Sequence, residues 1–257
     1  MKRWRNVTSA MLATPCLVCL ALPAWRRGFC PPCEEELPWQ PPGCHFCGVA
    51  LTGALTVNPA LATADTGGTA RSLCPRCSHQ SPNFTRCHCT FAYEPPVSTM
   101  IRRIKDHAGF VEFRALSNCF IEHFVRHHLD TATPWPDLLL PVPLHPSRLR
   151  IRGFNQALLL ARRLSRRTGI PVLQNSCARQ PGTSQRGLNA TQRLLNMKST
   201  FRPGTGVELA VGRRLAIIDD VVTTTATTQA MAAVLRDSGA TRIDVWALAR
   251  SNQQPES

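Results

Sequence analysis

The chain has 257 residues, with 30 lysine and arginine residues against 16 aspartate and glutamate residues, so its formal net charge is +14. Because 43% of the residues are hydrophobic, the chain can bury a sizeable core, which excludes disorder along its whole length. The positive charge favours anionic partners such as phosphates, nucleic acid or acidic lipid. Most of these cations are arginine, however, and such a skew also reflects the base composition of a genome.

The amino terminus combines basic residues with an apolar run from Ala10 to Ala24, which superficially resembles a secretory signal. The run contains Pro15 and is shorter than the roughly 20 apolar residues that span a bilayer. It also contains Cys16 and Cys19, which cleavage after Ala24 would remove. We therefore expect a cytoplasmic protein with no membrane partner. In that reducing compartment cysteines are more often metal ligands than disulfides.

Four cysteine pairs with the spacing Cys-x-x-Cys lie within residues 16 to 77. Two residues between thiolates let a tight turn direct both sulfurs at one tetrahedral ion, and two such pairs complete a zinc site. The alternatives are a redox dithiol, which does not usually occur four times in a chain, and a disulfide framework, which needs an oxidising compartment. The predicted structural zinc ligands are Cys16, Cys19, Cys30, Cys33, Cys44, Cys47, Cys74 and Cys77.

The sequence leaves open which of these four Cys-x-x-Cys pairs, here called knuckles, share a metal ion. Sequential pairing into two sites of four cysteines is the simplest arrangement, and crossed pairing is the alternative. The long spacer over residues 49–73 is rich in alanine, threonine and glycine, which predicts a flexible insertion. Further residues are either additional ligands or metal-free residues at the edge of the module: His79, Cys87, His88 and Cys89.

From Tyr93 onward, helical and strand patterns alternate, as expected of an α/β domain. The continuous apolar run from Leu215 to Ile218 is typical of a parallel strand that is buried on both faces. The fold class is therefore α/β, with a parallel sheet flanked by helices. The predicted elements are a helix over 100–129, a strand over 138–144, a helix over 157–167, a strand over 213–222, a helix over 229–238 and a strand over 243–248.

The residues best suited to ligand binding or catalysis lie where the strand that contains Leu215 ends. Asp219 and Asp220 follow the apolar run, and the threonine-rich segment 223–227 then opens a helix. Paired acids at the carboxyl end of a strand, followed by small hydroxylated residues at a helix amino terminus, predict a site for a sugar phosphate. The acids can accept hydrogen bonds from ribose hydroxyls, directly or through magnesium-bound water. The alternative is an acidic helix cap with a threonine-rich first turn, which does not explain the doubled acid.

Residues 215–227 resemble the 5-phosphoribosyl 1-pyrophosphate (PRPP) signature of type I phosphoribosyltransferases. Segments 141–156 and 183–193 narrow the resemblance to the ComF/GntX family of competence-related proteins, whose plan also includes amino-terminal cysteine knuckles. The resemblance spans nearly the whole chain. It implies a type I phosphoribosyltransferase fold over residues 92–251, preceded by a small zinc-binding module over residues 1–91 whose cysteines occupy 16–89.

The resemblance also implies roles for individual residues. Asp219, Asp220 and Arg152 would be the catalytic residues, with the two acids facing the ribose hydroxyls and a magnesium ion accompanying PRPP. Lys105 falls near the family's lysine before the first strand and is a weaker candidate. A flexible hood over residues 179–198 would close over the site. The residues implied in binding the 5-phosphate and the pyrophosphate are Val221, Val222, Thr223, Thr224, Thr225, Ala226, Thr227, Asn155, Gln156, Gln185 and Arg193.

One residue departs from the family pattern, because Thr225 stands where glycine is usual. Glycine takes a positive φ readily and lets the backbone approach a phosphate closely, whereas a β-branched side chain is strained there. We therefore expect either weaker phosphate binding or an added hydroxyl contact within an altered loop.

Two functions follow from these features. In the first, the protein binds PRPP and transfers its ribosyl group to an undefined acceptor while serving DNA uptake or the use of external DNA. In the second, it is a catalytically inactive accessory protein that binds single-stranded DNA or DNA-processing proteins such as recombination factors. Only 6% of the residues are aromatic, so DNA binding would depend on phosphates and would weaken with salt.

Overall fold

The computed structural model describes residues 14–22, 28–51, 56–58, 71–131, 133–179 and 200–252. Both ends of the apolar amino-terminal run and nearly all of the predicted hood over residues 179–198 lie outside these ranges. Within them, none of the helices combines the length and the apolar character that crossing a membrane requires.

The cysteine module contains short elements. Two antiparallel strands, β1 (Thr56–Asn58) and β2 (Arg71–Leu73), lie within the spacer, most of which is outside the described residues. The helices α1 (Pro31–Glu35) and α2 (Pro75–His79) each begin with proline directly after a cysteine of a knuckle. Proline suits the first position of a helix, because its fixed φ is already helical and its missing N–H would have no helical partner there.

The rest of the described chain alternates between strands and helices. Its strands are β3 (Arg86–Ala92), β4 (Leu138–Pro141), β5 (Cys177–Arg179), β6 (Phe201–Pro203), β7 (Arg214–Val222) and β8 (Arg242–Arg250). Its α-helices are α3 (Val97–His107), α4 (Phe110–Thr131), α5 (Pro146–Arg152), α6 (Gln156–Thr168) and α7 (Ala226–Asp237). A short 3₁₀ helix covers Val207–Ala210, and β5 and β6 form an antiparallel pair.

A four-stranded parallel sheet in the order β3-β8-β7-β4 forms the centre of the fold. Ile218 and Trp246 face one core, with residues of α3, α4 and α6, whereas Ile217 and Val245 face a second core, with residues of α7. Successive side chains of a strand point to opposite faces, so a continuous apolar run fills both cores. The predicted α/β fold with a parallel sheet flanked by helices is confirmed.

Two predicted details are corrected by the structure. The single helix predicted over residues 100–129 is two helices, because Ala108 adopts the left-handed conformation (φ 50°) and ends α3. Phe110 therefore begins a new helix and is 59% exposed, instead of continuing the buried stripe. In addition, residues 86–92 form a strand of the central sheet, although the sequence analysis gave most of this segment only to the cysteine module.

The cysteine module packs against the α/β sheet. Phe29 and Leu37 of the module are buried in the same core as α3 and α4. Near the end of β8, the backbone N–H of Ala50 and the side chain of Gln40 both donate hydrogen bonds to Asn252 Oδ1. The module thus contributes side chains to the domain core and contacts the chain just beyond the last strand.

Candidate functional site

The paired acids lie at the carboxyl end of β7, where the buried apolar run stops. Asp219 Oδ1 accepts a hydrogen bond from the backbone N–H of Asp220 at 2.8 Å, and Asp220 Oδ1 accepts one from Val221 N–H at 2.8 Å. Lys105 Nζ, from the last turn of α3, lies 3.0 Å from Asp220 Oδ2. The structure therefore brings together both predicted acids and the predicted lysine.

The environment of Asp219 opposes its ionisation. Burial and the adjacent negative charge of Asp220 raise the pKa of the Asp219 carboxyl well above its usual value, although the charge of Lys105 lowers it. A carboxylate in this position is stabilised by a further cation or by hydrogen-bond donors. The pair is therefore suited to bind hydroxyl groups or a metal-bound water.

A cleft of about 250 Å³ opens between the carboxyl ends of β4 and β7. The acids line one part of it, and Arg148, Arg152 and Arg179 line another. Burial and the neighbouring charge of Arg148 lower the pKa of Arg179, so these cations crowd one another. A polyanion bound among them would relieve that repulsion.

The segment that connects β4 to α6 is shaped by Asn155, which caps the amino terminus of α6. Asn155 Oδ1 accepts hydrogen bonds from the N–H groups of Ala157 (3.0 Å) and Leu158 (3.4 Å), and its Nδ2 donates to Val142 O at 3.0 Å. Asparagine is a preferred cap because its side chain satisfies helical N–H groups that lack partners. Asn155 thus has a structural role that the sequence analysis did not assign to it.

Gln156 lines the same cleft and, within the described part of the chain, has one side-chain donor without a partner. Its Oε1 accepts a hydrogen bond from Arg152 Nη1 at 3.0 Å. Its Nε2 is buried and has no hydrogen-bond partner among the described residues. Because an unsatisfied buried donor is costly, this amide is suited to a ligand oxygen.

The threonine loop, residues 223–225, precedes α7 and borders a small cavity of about 30 Å³ that Asp219 also lines. Thr225 is buried and left-handed, with φ 63° and ψ 0°. Its Oγ1 donates to Thr224 O at 2.6 Å, and its own carbonyl accepts from Thr228 Oγ1 at 2.9 Å. The positive φ expected for glycine is therefore present, although a β-branched residue adopts it.

Two arginines that the sequence analysis missed contact the threonine loop. Arg250, which is 5% exposed, donates from Nη1 to the carbonyls of Val222 (3.1 Å) and Thr223. Arg76 Nη1 donates to Thr224 O at 2.6 Å. The sequence feature that could have pointed to Arg250 is a charged residue at the end of an apolar strand. Arg148, also missed, lies one helical turn before Arg152, a spacing that places both on one face of α5.

The eight predicted zinc ligands form two groups of four: Cys16, Cys19, Cys30 and Cys33 in the first group, and Cys44, Cys47, Cys74 and Cys77 in the second. Within each group the Sγ atoms all lie within 4.8 Å of one another. This is the sequential arrangement, and either group could hold a zinc ion. His79, Cys87, His88 and Cys89 belong to neither group, so within the described part of the chain they are not additional ligands.

In the first group, the surroundings of Cys16 favour the thiolate form of its sulfur. Burial of Cys16 opposes ionisation, but the backbone N–H groups of Cys19, Cys30 and Val18 stabilise the charged sulfur and lower its pKa to about 6. Zinc binds thiolates rather than thiols, so these donors prepare the sulfur for metal.

Gln185 and Arg193 lie outside the described residues, so their predicted roles stay predictions. The other implied binding residues surround the cleft or the threonine loop. Together, the fold and the site define a parallel α/β protein with an acid pair and a threonine loop at the carboxyl edge of its sheet and an amino-terminal cysteine module.

Sequence relatives place this class of protein in a family. Competence protein F of Haemophilus influenzae is 31% identical over 230 residues, which cover 88% of this chain and 92% of that protein. DNA utilization protein YhgH of Escherichia coli K12 is 32% identical over 248 residues, which cover 94% of this chain and 100% of that protein. The chain belongs to the competence protein F family, which confirms the resemblance to ComF.

No protein-family model matches the chain. A purine phosphoribosyltransferase from Pyrococcus horikoshii aligns with 55% of this chain and 91% of its own, at 13% identity and a TM-score of 0.32. This similarity is too low to support an argument about fold or activity.

Proposed function

We propose that the cleft binds PRPP or a related ribose phosphate together with magnesium, and that the protein serves DNA uptake or the use of external DNA in the cytoplasm. The names of its relatives, competence protein F and DNA utilization protein, support the biological role. The observation that carries the ligand assignment is the cleft itself, which brings an acid pair, three arginines and a lysine around one space.

Each part of the ligand has a matching group. Asp219 and Asp220 would accept hydrogen bonds from the ribose hydroxyls. The threonine loop would surround the 5-phosphate with N–H and hydroxyl donors at the amino terminus of α7, where the helix dipole favours an anion. Arg152, Arg148 and the free Nε2 of Gln156 would bind the pyrophosphate.

Magnesium fits the donor set, because carboxylate oxygens are its preferred protein ligands. When bound, it would neutralise charge on the pyrophosphate. Loss of pyrophosphate from ribose needs no nucleophilic side chain, so the protein's part is to orient the ribose, stabilise charge and exclude water. None of the described residues lining the cleft is aromatic, so the cleft is suited to the ribose phosphate rather than to a stacked base.

For the two cysteine groups we propose structural zinc. The second group is buried throughout and packs with Val49 and Leu73, an environment that separates its metal from solvent. Two sites with four sulfur donors each leave no open coordination position, which is typical of structural rather than catalytic zinc.

The test is calorimetric titration of the zinc-loaded protein with magnesium-PRPP. We expect saturable binding that the double variant Asp219→Asn, Asp220→Asn abolishes. Asp137→Asn is the matched control, because Asp137 lies next to the amino end of β4, at the opposite edge of the sheet. Absence of binding in the wild-type protein would contradict the proposal.

The second candidate function, an accessory protein that binds single-stranded DNA, is favoured by the basic surface of α6. Arg163 and Arg166 line a cavity of about 340 Å³ between α4 and α6, and burial and nearby arginines lower the pKa of Arg163. Titration with single-stranded DNA at two salt concentrations tests this function. Salt-sensitive DNA binding without PRPP binding would mean that the fold serves as a scaffold.

A further inference from the structure

Backbone carbonyls at the threonine loop are held by side chains from elsewhere in the chain. Three successive carbonyls, those of Val222, Thr223 and Thr224, accept hydrogen bonds from Arg250 and Arg76. In a trans peptide the C=O and N–H point in opposite directions. Holding these carbonyls therefore directs the N–H groups of residues 223–225 the other way, as a phosphate site requires.

Both arginines are also joined to the second cysteine group. Arg250 Nε donates to the carbonyl of Cys47 at 2.8 Å, a bond between two buried residues. Arg76 lies within α2, between Cys74 and Cys77. The same segments that present sulfurs to a metal thus supply, or anchor, the donors that orient the loop.

Without metal, the four thiols of the second group would have no common ligand, and the knuckles that carry Cys47 and Arg76 would loosen. The position of both arginines would then be less restricted, and the loop carbonyls would lose fixed partners. The first cysteine group differs, because the described chain beside it packs onto α4 through Phe29. Only one of the two groups therefore has a direct connection to the loop among the described residues.

We propose that Arg250 and Arg76 are positioning residues that couple the second cysteine group to the threonine loop, so that metal occupancy of this group sets the affinity for phosphate. The coupling to affinity rests on the proposed ribose-phosphate site. Because coupling between the affinities of two sites is reciprocal, a bound ribose phosphate must also raise the affinity of this group for metal.

The first experiment measures backbone hydrogen exchange over residues 222–226 in Arg76→Gln. Arg76 is exposed, so the variant should fold, and exchange in the loop should accelerate. Arg236→Gln is the matched control, because Arg236 also donates to a backbone carbonyl, that of Asn83, from the neighbouring helix α7. It removes the same charge without touching the loop carbonyls and should leave loop exchange unchanged.

The second experiment follows zinc transfer to a chromogenic chelator with and without saturating magnesium-PRPP. At equilibrium we expect PRPP to raise the affinity for one of two zinc ions by about fivefold or more, and this increase to be lost in Arg76→Gln. PRPP affinity should fall by a similar factor in Arg76→Gln and stay unchanged in Arg236→Gln.

The outcomes separate the two proposals. If wild-type protein does not bind PRPP but Arg76→Gln still accelerates loop exchange, the proposed function fails and the positioning role stands. If PRPP binds but neither loop exchange nor the effect of PRPP on zinc affinity differs between Arg76→Gln and wild type, the coupling is overturned. Equal effects of Arg76→Gln and Arg236→Gln would also overturn it, because the effect would then come from charge alone.

Discussion

The left-handed conformation of Thr225 leads to a prediction about stability that is opposite to the usual rule. At most positions, replacing a residue by alanine gives a more stable protein than replacing it by glycine, because glycine has more conformational freedom to lose on folding. Thr225 has φ 63°, where a Cβ atom is strained. We expect Thr225→Gly to be more stable than Thr225→Ala.

The size of the difference follows from two terms. Removing the Cβ from a left-handed residue recovers about 1–2 kcal/mol. The greater freedom of glycine in the unfolded chain costs about 0.4–1 kcal/mol. Both variants lose the buried threonine methyl and the hydrogen bond from Oγ1 to Thr224 O, so these losses cancel in the comparison. The net advantage of glycine is about 1 kcal/mol.

Urea unfolding of the two variants measures this difference, with Gln229 as the control position. Gln229 lies inside α7, where alanine should be more stable than glycine by about 1 kcal/mol. The preference should therefore reverse between two positions one helical turn apart. If Thr225→Ala proves at least as stable as Thr225→Gly, the strain argument is wrong. Titration with magnesium-PRPP should also show tighter binding to Thr225→Gly than to the wild type.

Three further predictions concern charges and packing. Because the pKa of Asp219 is raised in the folded protein, the wild type should lose stability as the pH rises above about 4. The free energy of unfolding of Asp219→Asn, measured in urea, should therefore increase relative to that of the wild type as the pH rises above this value. Arg214 lowers the pKa of Asp137, so Asp137→Asn should cost about 0.5–1 kcal/mol near pH 7, and this deficit should vanish in acid, below the lowered pKa. A Cβ on Gly204 would lie 1.9 Å from Asn175 O, so Gly204→Ala should lower the urea midpoint by an amount equivalent to about 1–3 kcal/mol; an unchanged midpoint would contradict this packing.

The part of the site that occupies one continuous segment could be predicted from sequence. The apolar run, the acid pair and the threonines of residues 215–227 each have a local physical meaning, and the structure has this strand, loop and helix in the predicted order. The cysteine spacing was equally informative, because two cysteines separated by two residues can direct their sulfurs at one metal ion through local geometry alone. Sequential pairing of the knuckles was one of two arrangements that the spacing allowed.

Features that depend on contacts between distant segments were not predictable. The break at Ala108 was missed because the apolar spacing continues across it, whereas the left-handed backbone at Ala108 and the exposure of Phe110 reveal the new helix. Strand β3 was missed because its cysteines suggested metal binding and its partner in the sheet lies at the far end of the chain. The contacts of Arg250 depend on how β8 lies beside both β7 and the cysteine module, which no local pattern records.

The strand order has a consequence for how the chain is made. Strand β8, the last of the described strands in chain order, lies between β3 and β7, so β3 has no neighbour in this sheet until β8 has been synthesised. During translation, β3 therefore stays unpaired in this sheet until β8 emerges, because the two strands are far apart in the sequence. Truncation just before β8 would remove the middle of the sheet rather than its edge. Chains shortened at this end should therefore fail to fold, even though they retain all eight knuckle cysteines and the acid pair.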